Sequence, residues 1–148
     1  MEDTLIILKP DAVQRQLVGR IIARFEDKGL RIVAMKMIHI SRELAERQYE
    51  VHRGKEFYPR LVEYITAGPV VVMVLRGPHA IEISRKLMGK TFGSQADPGT
   101  IRGDFSISDT FNLVHGSDSP ESAATEIGLY FGTDEILSGE VAAGRWMV

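Results

Sequence analysis

The 148-residue chain carries 18 basic and 20 acidic side chains, a formal net charge of −2, and 44% apolar residues. That length and apolar content suit a single domain over residues 1–148 with a packed core, not a disordered chain. The near-balanced charge argues against a dedicated nucleic-acid binder, and the lack of cysteine excludes disulfides, thiolate metal sites and thiol catalysis.

The chain opens on Met1-Glu2-Asp3-Thr4, which has neither the charged nor the apolar region of a signal peptide. No apolar stretch approaches the ~20 residues needed to cross a bilayer, so a cytoplasmic protein without membrane contact is expected. Thr4 to Leu8 reads as a buried strand bounded by Lys9-Pro10-Asp11. Val18, Ile21, Ile22 and Phe25 recur at helical spacing and predict a helix over residues 18–28, with Gly29 as its stop. Leu30 to Ile40, rich in Ile, Val and Met, predicts a long strand. Ser41 is a good N-cap for a helix to about His52, with Glu43 in its first turn, and Gly54 breaks it. A second helix is expected from Tyr58 to Ala67, ending at Gly68-Pro69. Val70 to Leu75 is a continuous apolar strand, and after Gly77-Pro78 a helix runs to about Met88.

Gly89 to Gly103 reads as a long irregular stretch, and long loops are often functional. A short strand around Leu113-Val114 follows. Ser119, Pro120 and Glu121 then announce a helix to about Phe131. The tail from Asp134 to Val148 looks weakly structured, with Trp146 expected to dock. The predicted order is β-α-β-αα-β-α-β-α.

Of the four histidines, His39, His52 and His79 have no second ligand at zinc spacing and read as structural or surface residues. His115 differs. It ends a short apolar run, is followed by Gly116-Ser117-Asp118-Ser119, and precedes a helix start whose free N–H groups suit an anion such as phosphate. Glu126, about two turns into that helix, either faces the imidazole and fixes its tautomer or is an ordinary surface glutamate. Lys9, Arg85 and Arg102 would form a site for a phosphate chain if they converge. Equally, Lys9 and Arg85 read as solvated charges and Arg102 as a partner of Asp104. Gly89-Lys90-Thr91 imitates the end of a P-loop, but Ser84 stands where the motif needs glycine, and a helix rather than a strand precedes it.

Lys9-Pro10-Asp11, Gly68-Pro69-Val70, the run from Pro98 to Asp104 and the run from Asn112 to Ser119 occur in that order. With Glu126 at the matching distance, the chain resembles nucleoside diphosphate kinases from about Thr4 to Trp146. The resemblance implies an α+β, ferredoxin-like βαββαβ fold. Its four-stranded antiparallel sheet has helices on one face, an inserted helical pair at residues 42–67, and a long loop at about 89–103.

The resemblance also implies transfer of the terminal phosphate from a nucleoside triphosphate to a diphosphate by ping-pong chemistry. His115 would carry the phosphate and Glu126 would orient it. Lys9, Arg85, Thr91 and Arg102 match phosphate-holding positions. Tyr49 would assist near His115, Phe57 would stack on the base, and Asn112 would contact sugar and phosphates. Magnesium would arrive with the nucleotide, and a homo-oligomer, hexamer or tetramer, is implied. The sequence departs from the family at Ala12 and Gln16, where glycine is common. It departs again at Phe92-Gly93, in place of Asn-Pro, and at Asp109-Thr110-Phe111, in place of a Val-Gly-Arg run. Asp109 adds a negative charge near the expected nucleotide site.

Overall fold

The computed structural model describes residues 1–139 and 144–146. Its sheet has four strands: β1 (Glu2–Leu8), β2 (Arg31–His39), β3 (Pro69–Gly77) and β4 (Val114–Gly116). They lie in the order β2-β3-β1-β4, and every neighbouring pair is antiparallel. Thr4 to Leu8 is buried without interruption because β1 lies inside the sheet and both of its faces are covered. A strand buried on both faces reads as a continuous apolar run rather than an alternating one. In β2 the register shifts between Ile32 and Ala34, a local irregularity of pairing with β3.

One face carries α2 (Val18–Lys28) and α5 (Ala80–Met88). Ile21 and Phe25 of α2, and Ala80 and Met88 of α5, pack with Ile6, Leu8, Met73 and Leu75. Gly29 ends α2 in the left-handed conformation at φ 106°, and the Leu30 amide reaches back to the Phe25 carbonyl at 3.1 Å.

The opposite face is not bare. The inserted pair α3 (Arg42–Gln48) and α4 (Tyr58–Ile65), with α7 (Pro120–Tyr130), covers it. Ala45, Val62, Ile65 and Tyr130 pack there with Leu5, Ile7, Val72 and Val74. Ser41 caps α3 by accepting the Leu44 amide, and Ser119 caps α7 by accepting the Ser122 amide, with Pro120 opening the helix.

Four local expectations are corrected. Pro10 does not merely end β1; it starts a short helix, α1 (Pro10–Gln14), at the first turn where a missing N–H costs nothing. The stretch 89–103 is not irregular throughout. It contains a 3₁₀ turn at Gly93–Gln95 and the start of α6 (Ile101–Phe105), capped by Thr100, whose hydroxyl accepts the Gly103 amide at 3.0 Å. Leu113 is not in the last strand but precedes it, at φ +69°. In the tail, Trp146, expected to dock, is 75% exposed within this chain, its ring centre 4.7 Å from the Arg145 guanidinium. The remaining tail positions, 140–143 and 147–148, lie outside the described residues.

Candidate functional site

Pairing decides which way His115 points. It sits opposite Ile7 in the β1–β4 ladder, while Val114 and Gly116 sit opposite Leu8 and Ile6. Side chains alternate along a strand, so His115 shares the face of Ile7 and looks toward α7 and the inserted pair. There it lines a cleft of about 960 Å³, and all nine sequence-predicted site residues line the same cleft.

The imidazole Nε2 is hydrogen-bonded to Oε1 of Glu126. Glu126 is therefore no surface residue: it is 8% exposed, and the Gln48 amide nitrogen donates to the same oxygen at 2.7 Å. Burial pushes its carboxyl pKa up, but the bonds from His115 and Gln48 outweigh it and the net shift is downward. An ionised Glu126 is the acceptor in this bond and the ring Nε2–H the donor. Nδ1 makes no hydrogen bond among the described residues and keeps its lone pair. The Tyr49 hydroxyl is buried in the same cleft without a hydrogen-bond partner among the described residues. Burial, then the nearby Glu126, raises its pKa, so it stays a proton donor.

The cations converge. Lys9, at the exit of β1, is buried, and its Nζ donates to Asn112 Oδ1 at 2.8 Å while lying 5.0 Å from the Tyr64 ring centre. Arg102 is buried on α6 and donates to three carbonyls, those of Asn112 (3.1 Å), Gly89 (3.0 Å) and Val114 (2.7 Å). It does not pair with Asp104, which bonds Arg24 at 2.7 Å instead. Arg85 on α5 is exposed, and its guanidinium donates to the Gly116 carbonyl at 3.2 Å. None of the three makes a salt bridge among the described residues. Burial, then Arg102, pulls the Lys9 pKa down to about 7; burial, then Arg85, pulls Arg102 down to about 10. Clustered cations that destabilise one another in this way are relieved by an anion.

Asn112 ties these parts together. Its amide nitrogen donates to the Thr91 carbonyl at 3.0 Å, so one side chain spans Lys9 and the loop after α5. At the mouth, Phe57 stands at the start of α4, 45% exposed, with His52 edge-on to it at 5.2 Å.

Sequence reasoning missed four residues. Asp11 and Tyr64 hold the strained Leu113. The Tyr64 hydroxyl donates to Asp11 Oδ1 at 2.5 Å, and the Leu113 amide donates to Asp11 Oδ2 at 3.2 Å and to that hydroxyl at 3.3 Å. Asp11 sits in the quoted Lys-Pro-Asp run and was within reach of motif reading. Gln48 and Tyr130 back Glu126, and no local pattern marks them. The family departures also find places. Asp109 accepts the Ser94 amide at 3.0 Å, and Phe111 packs edge-on to Tyr64 at 5.1 Å. Gly93 is buried where a Cβ would collide with the Ser106 and Ser108 carbonyls.

Among the described residues no three His, Asp or Glu side chains gather as a potential metal cage, and no helix is long and apolar enough to cross a membrane.

The family model for nucleoside diphosphate kinase matches residues 2–136. A nucleoside diphosphate kinase of Thermomicrobium roseum is 58% identical over 148 residues, covering 100% of this chain and 99% of that protein. One of Ignicoccus hospitalis is 54% identical over 139 residues, covering 94% and 95%. A halophilic nucleoside diphosphate kinase from Halobacterium salinarum, solved in complex with CDP, superposes with a TM-score of 0.96 at 43% identity, covering 99% of this chain and 98% of that one.

Proposed function

This chain belongs to the nucleoside diphosphate kinase family and is an enzyme of that class, and from that premise we propose that it works by a ping-pong exchange through a phosphate carried on Nδ1 of His115. The observation that carries the reading is the Glu126–His115 pair: it occupies Nε2 and leaves Nδ1 free in a cleft of unpaired cations.

In the first half-reaction the Nδ1 lone pair attacks the terminal phosphorus of a nucleoside triphosphate. The bond from that phosphorus to the bridging oxygen breaks, and its electrons leave on the diphosphate. In the second half, a terminal oxygen of another diphosphate attacks the phosphorus, and the N–P electrons return to Nδ1. The proton on Nε2 stays in place throughout, and Glu126 balances the positive charge that the ring gains. Phosphoryl transfer asks mainly for positioning and charge stabilisation. Lys9, Arg85 and Arg102 supply the charge, with Thr91 and Asn112 fixing the phosphate and sugar and the Tyr49 hydroxyl donating toward the phosphate on His115. Phe57 stacks on the base, and because every base has a π-face this grip is tolerant of base identity. The products then include GTP, CTP, UTP and the deoxynucleoside triphosphates.

Mg2+ is proposed to enter on the nucleotide, since the cleft-facing groups are cations and lone carboxylates, not a cage. When bound, it neutralises charge on the phosphates. The enzyme is proposed to act in the cytoplasm as a homo-oligomer, hexamer or tetramer. Edge strand β2, with Met35 and Met37 more than half exposed, supports association.

Incubation with ATP labelled at the terminal phosphate is expected to give an acid-labile, base-stable phosphoenzyme that several nucleoside diphosphates discharge. His115→Asn should give none. A folded wild type that takes up no label overturns the reading.

A further inference from the structure

Behind Glu126 lies a second layer that the reaction scheme leaves unused. Gln48, at the end of α3, is 8% exposed, and Tyr130, at the end of α7, is 5% exposed. The Tyr130 hydroxyl donates to Gln48 Oε1 at 2.9 Å, and Gln48 Nε2 donates to Glu126 Oε1 at 2.7 Å. Gln48 Nε2 also lies 3.4 Å from His115 Nε2.

These contacts lock one another. Burial, then the neighbouring Tyr49 and Glu126, raises the Tyr130 pKa, so its hydroxyl stays protonated. A hydroxyl that donates to Oε1 turns the amide nitrogen toward Glu126. A flipped amide would set its carbonyl against the carboxylate, two acceptors face to face, which requires a protonated Glu126. With the amide as observed, Glu126 Oε1 is held ionised, and the proton between it and the ring belongs to His115. The approach of the amide to His115 Nε2 is then donor against donor. It becomes a bond only if the ring proton moves to Nδ1, the atom that must stay free.

We propose that Gln48, oriented by Tyr130, is a positioning residue that selects the Nε2–H tautomer of His115 through Glu126. This rests on the reading of His115 Nδ1 as the phosphate acceptor. Tautomer control of a catalytic imidazole by a buried neighbour has large effects elsewhere: a carboxylate-to-amide change that leaves geometry intact costs a serine protease about 10⁴-fold in turnover.

The test combines ¹⁵N-histidine spectroscopy with single-turnover phosphoenzyme formation across pH. Wild type is expected to show Nε2 protonated and Nδ1 bare at neutral pH. Gln48→Met should mix the tautomers and slow phosphorylation by roughly 10- to 100-fold, with the half-saturating nucleotide concentration of the single-turnover step unchanged. It should also move the acid limb of the rate profile up by about 0.5 to 1 pH unit. Removing a donor makes the carboxylate more basic, so the dyad takes its proton at higher pH. Tyr130→Phe should move each readout the same way by less. If Gln48→Met does not fold, Gln48→Glu decides: two carboxylates in contact must share a proton, and the limb should rise by about a unit or more. A wild-type tautomer signature and pH profile in the folded variants overturns the proposal. A wild type that shows the Nε2–H signature but forms no phosphoenzyme overturns the phosphate-carrier reading, and the variant spectra still decide whether Gln48 sets the tautomer.

Discussion

The Nζ of Lys9 donates to Oδ1 of Asn112 at 2.8 Å, joining the exit of β1 to the segment that leads into β4. That bond gives a buried cation an amide partner but no counter-charge. Its pKa near 7 follows, first from burial and then from Arg102. Lys9 therefore gives up its proton far more readily than a solvated lysine.

A phosphate chain beside Lys9 restores its charge and raises its pKa, so binding above about pH 7 takes up a proton. Nucleotide affinity is expected to fall as pH rises through 7 and beyond. Calorimetry in buffers of differing ionisation enthalpy should find little proton uptake near pH 6 and close to one proton near pH 8.5. Lys9→Met should abolish the uptake. The sign for stability is opposite to that for binding. Between about 7 and the ordinary 10.5 the unfolded chain binds more protons than the folded one, so the empty fold gains stability with rising pH across that window.

Tyr64→Phe removes the donor to Asp11 and an acceptor for the Leu113 amide but keeps the ring beneath Lys9. The Leu113 amide keeps Asp11 Oδ2, so the cost falls on the part-buried Asp11 Oδ1 left without its donor, and about 1 kcal/mol is expected, measured by urea unfolding. Phosphoenzyme formation should also slow, because Leu113 is two residues from His115. An unchanged rate would separate the strain from the chemistry.

The departures at Gly93 and Asp109 lie close together: Asp109 accepts the amide of Ser94, and the preceding Gly93 packs against the Ser106 and Ser108 carbonyls. Gly93→Ala is expected to lower thermal stability by about 1–3 kcal/mol through overpacking. Asp109→Asn retains Oδ1 and should change nucleotide KM by no more than about twofold. A large fall in KM would show instead that the Asp109 charge repels phosphate.

Phe57→Ala should raise KM by about 5- to 150-fold, the loss of about 1–3 kcal/mol of stacking, for purine and pyrimidine diphosphates alike. Stability should barely move, since the ring is 45% exposed. A base-selective loss in steady-state kinetics would argue against stacking as the main grip.

What could be read from sequence followed from local causes. The apolar periodicity of α2, its glycine stop and the caps of α3 and α7 act within a turn or two of chain. Among the candidate site residues, Lys9, Arg102, Asn112 and His115 stand in ordered runs and Glu126 at a fixed distance from them, whereas Arg85 is marked only by its charge and Tyr49, Phe57 and Thr91 only by the family resemblance. Pro10 was misread because proline both ends strands and opens helices. α6 was hidden by Gly99 and Gly103, and only the Thr100 cap marks its start. Gln48 and Tyr130 meet across 82 residues by the packing of α3 on α7, and no local pattern encodes that.

The inserted pair α3–α4 covers the sheet face toward which His115 points, and Phe57 stands at the start of α4. His115, by contrast, lies on β4 and Lys9 directly follows the neighbouring β1, with the Lys9 amide bonded to the Leu113 carbonyl at 2.8 Å. The wall that carries Phe57 and the wall that carries the imidazole are thus built by different parts of the chain. A substitution in the inserted pair is expected to change nucleotide binding while leaving the rate of phosphate transfer to His115 unaltered, which single-turnover labelling of α4 variants would check.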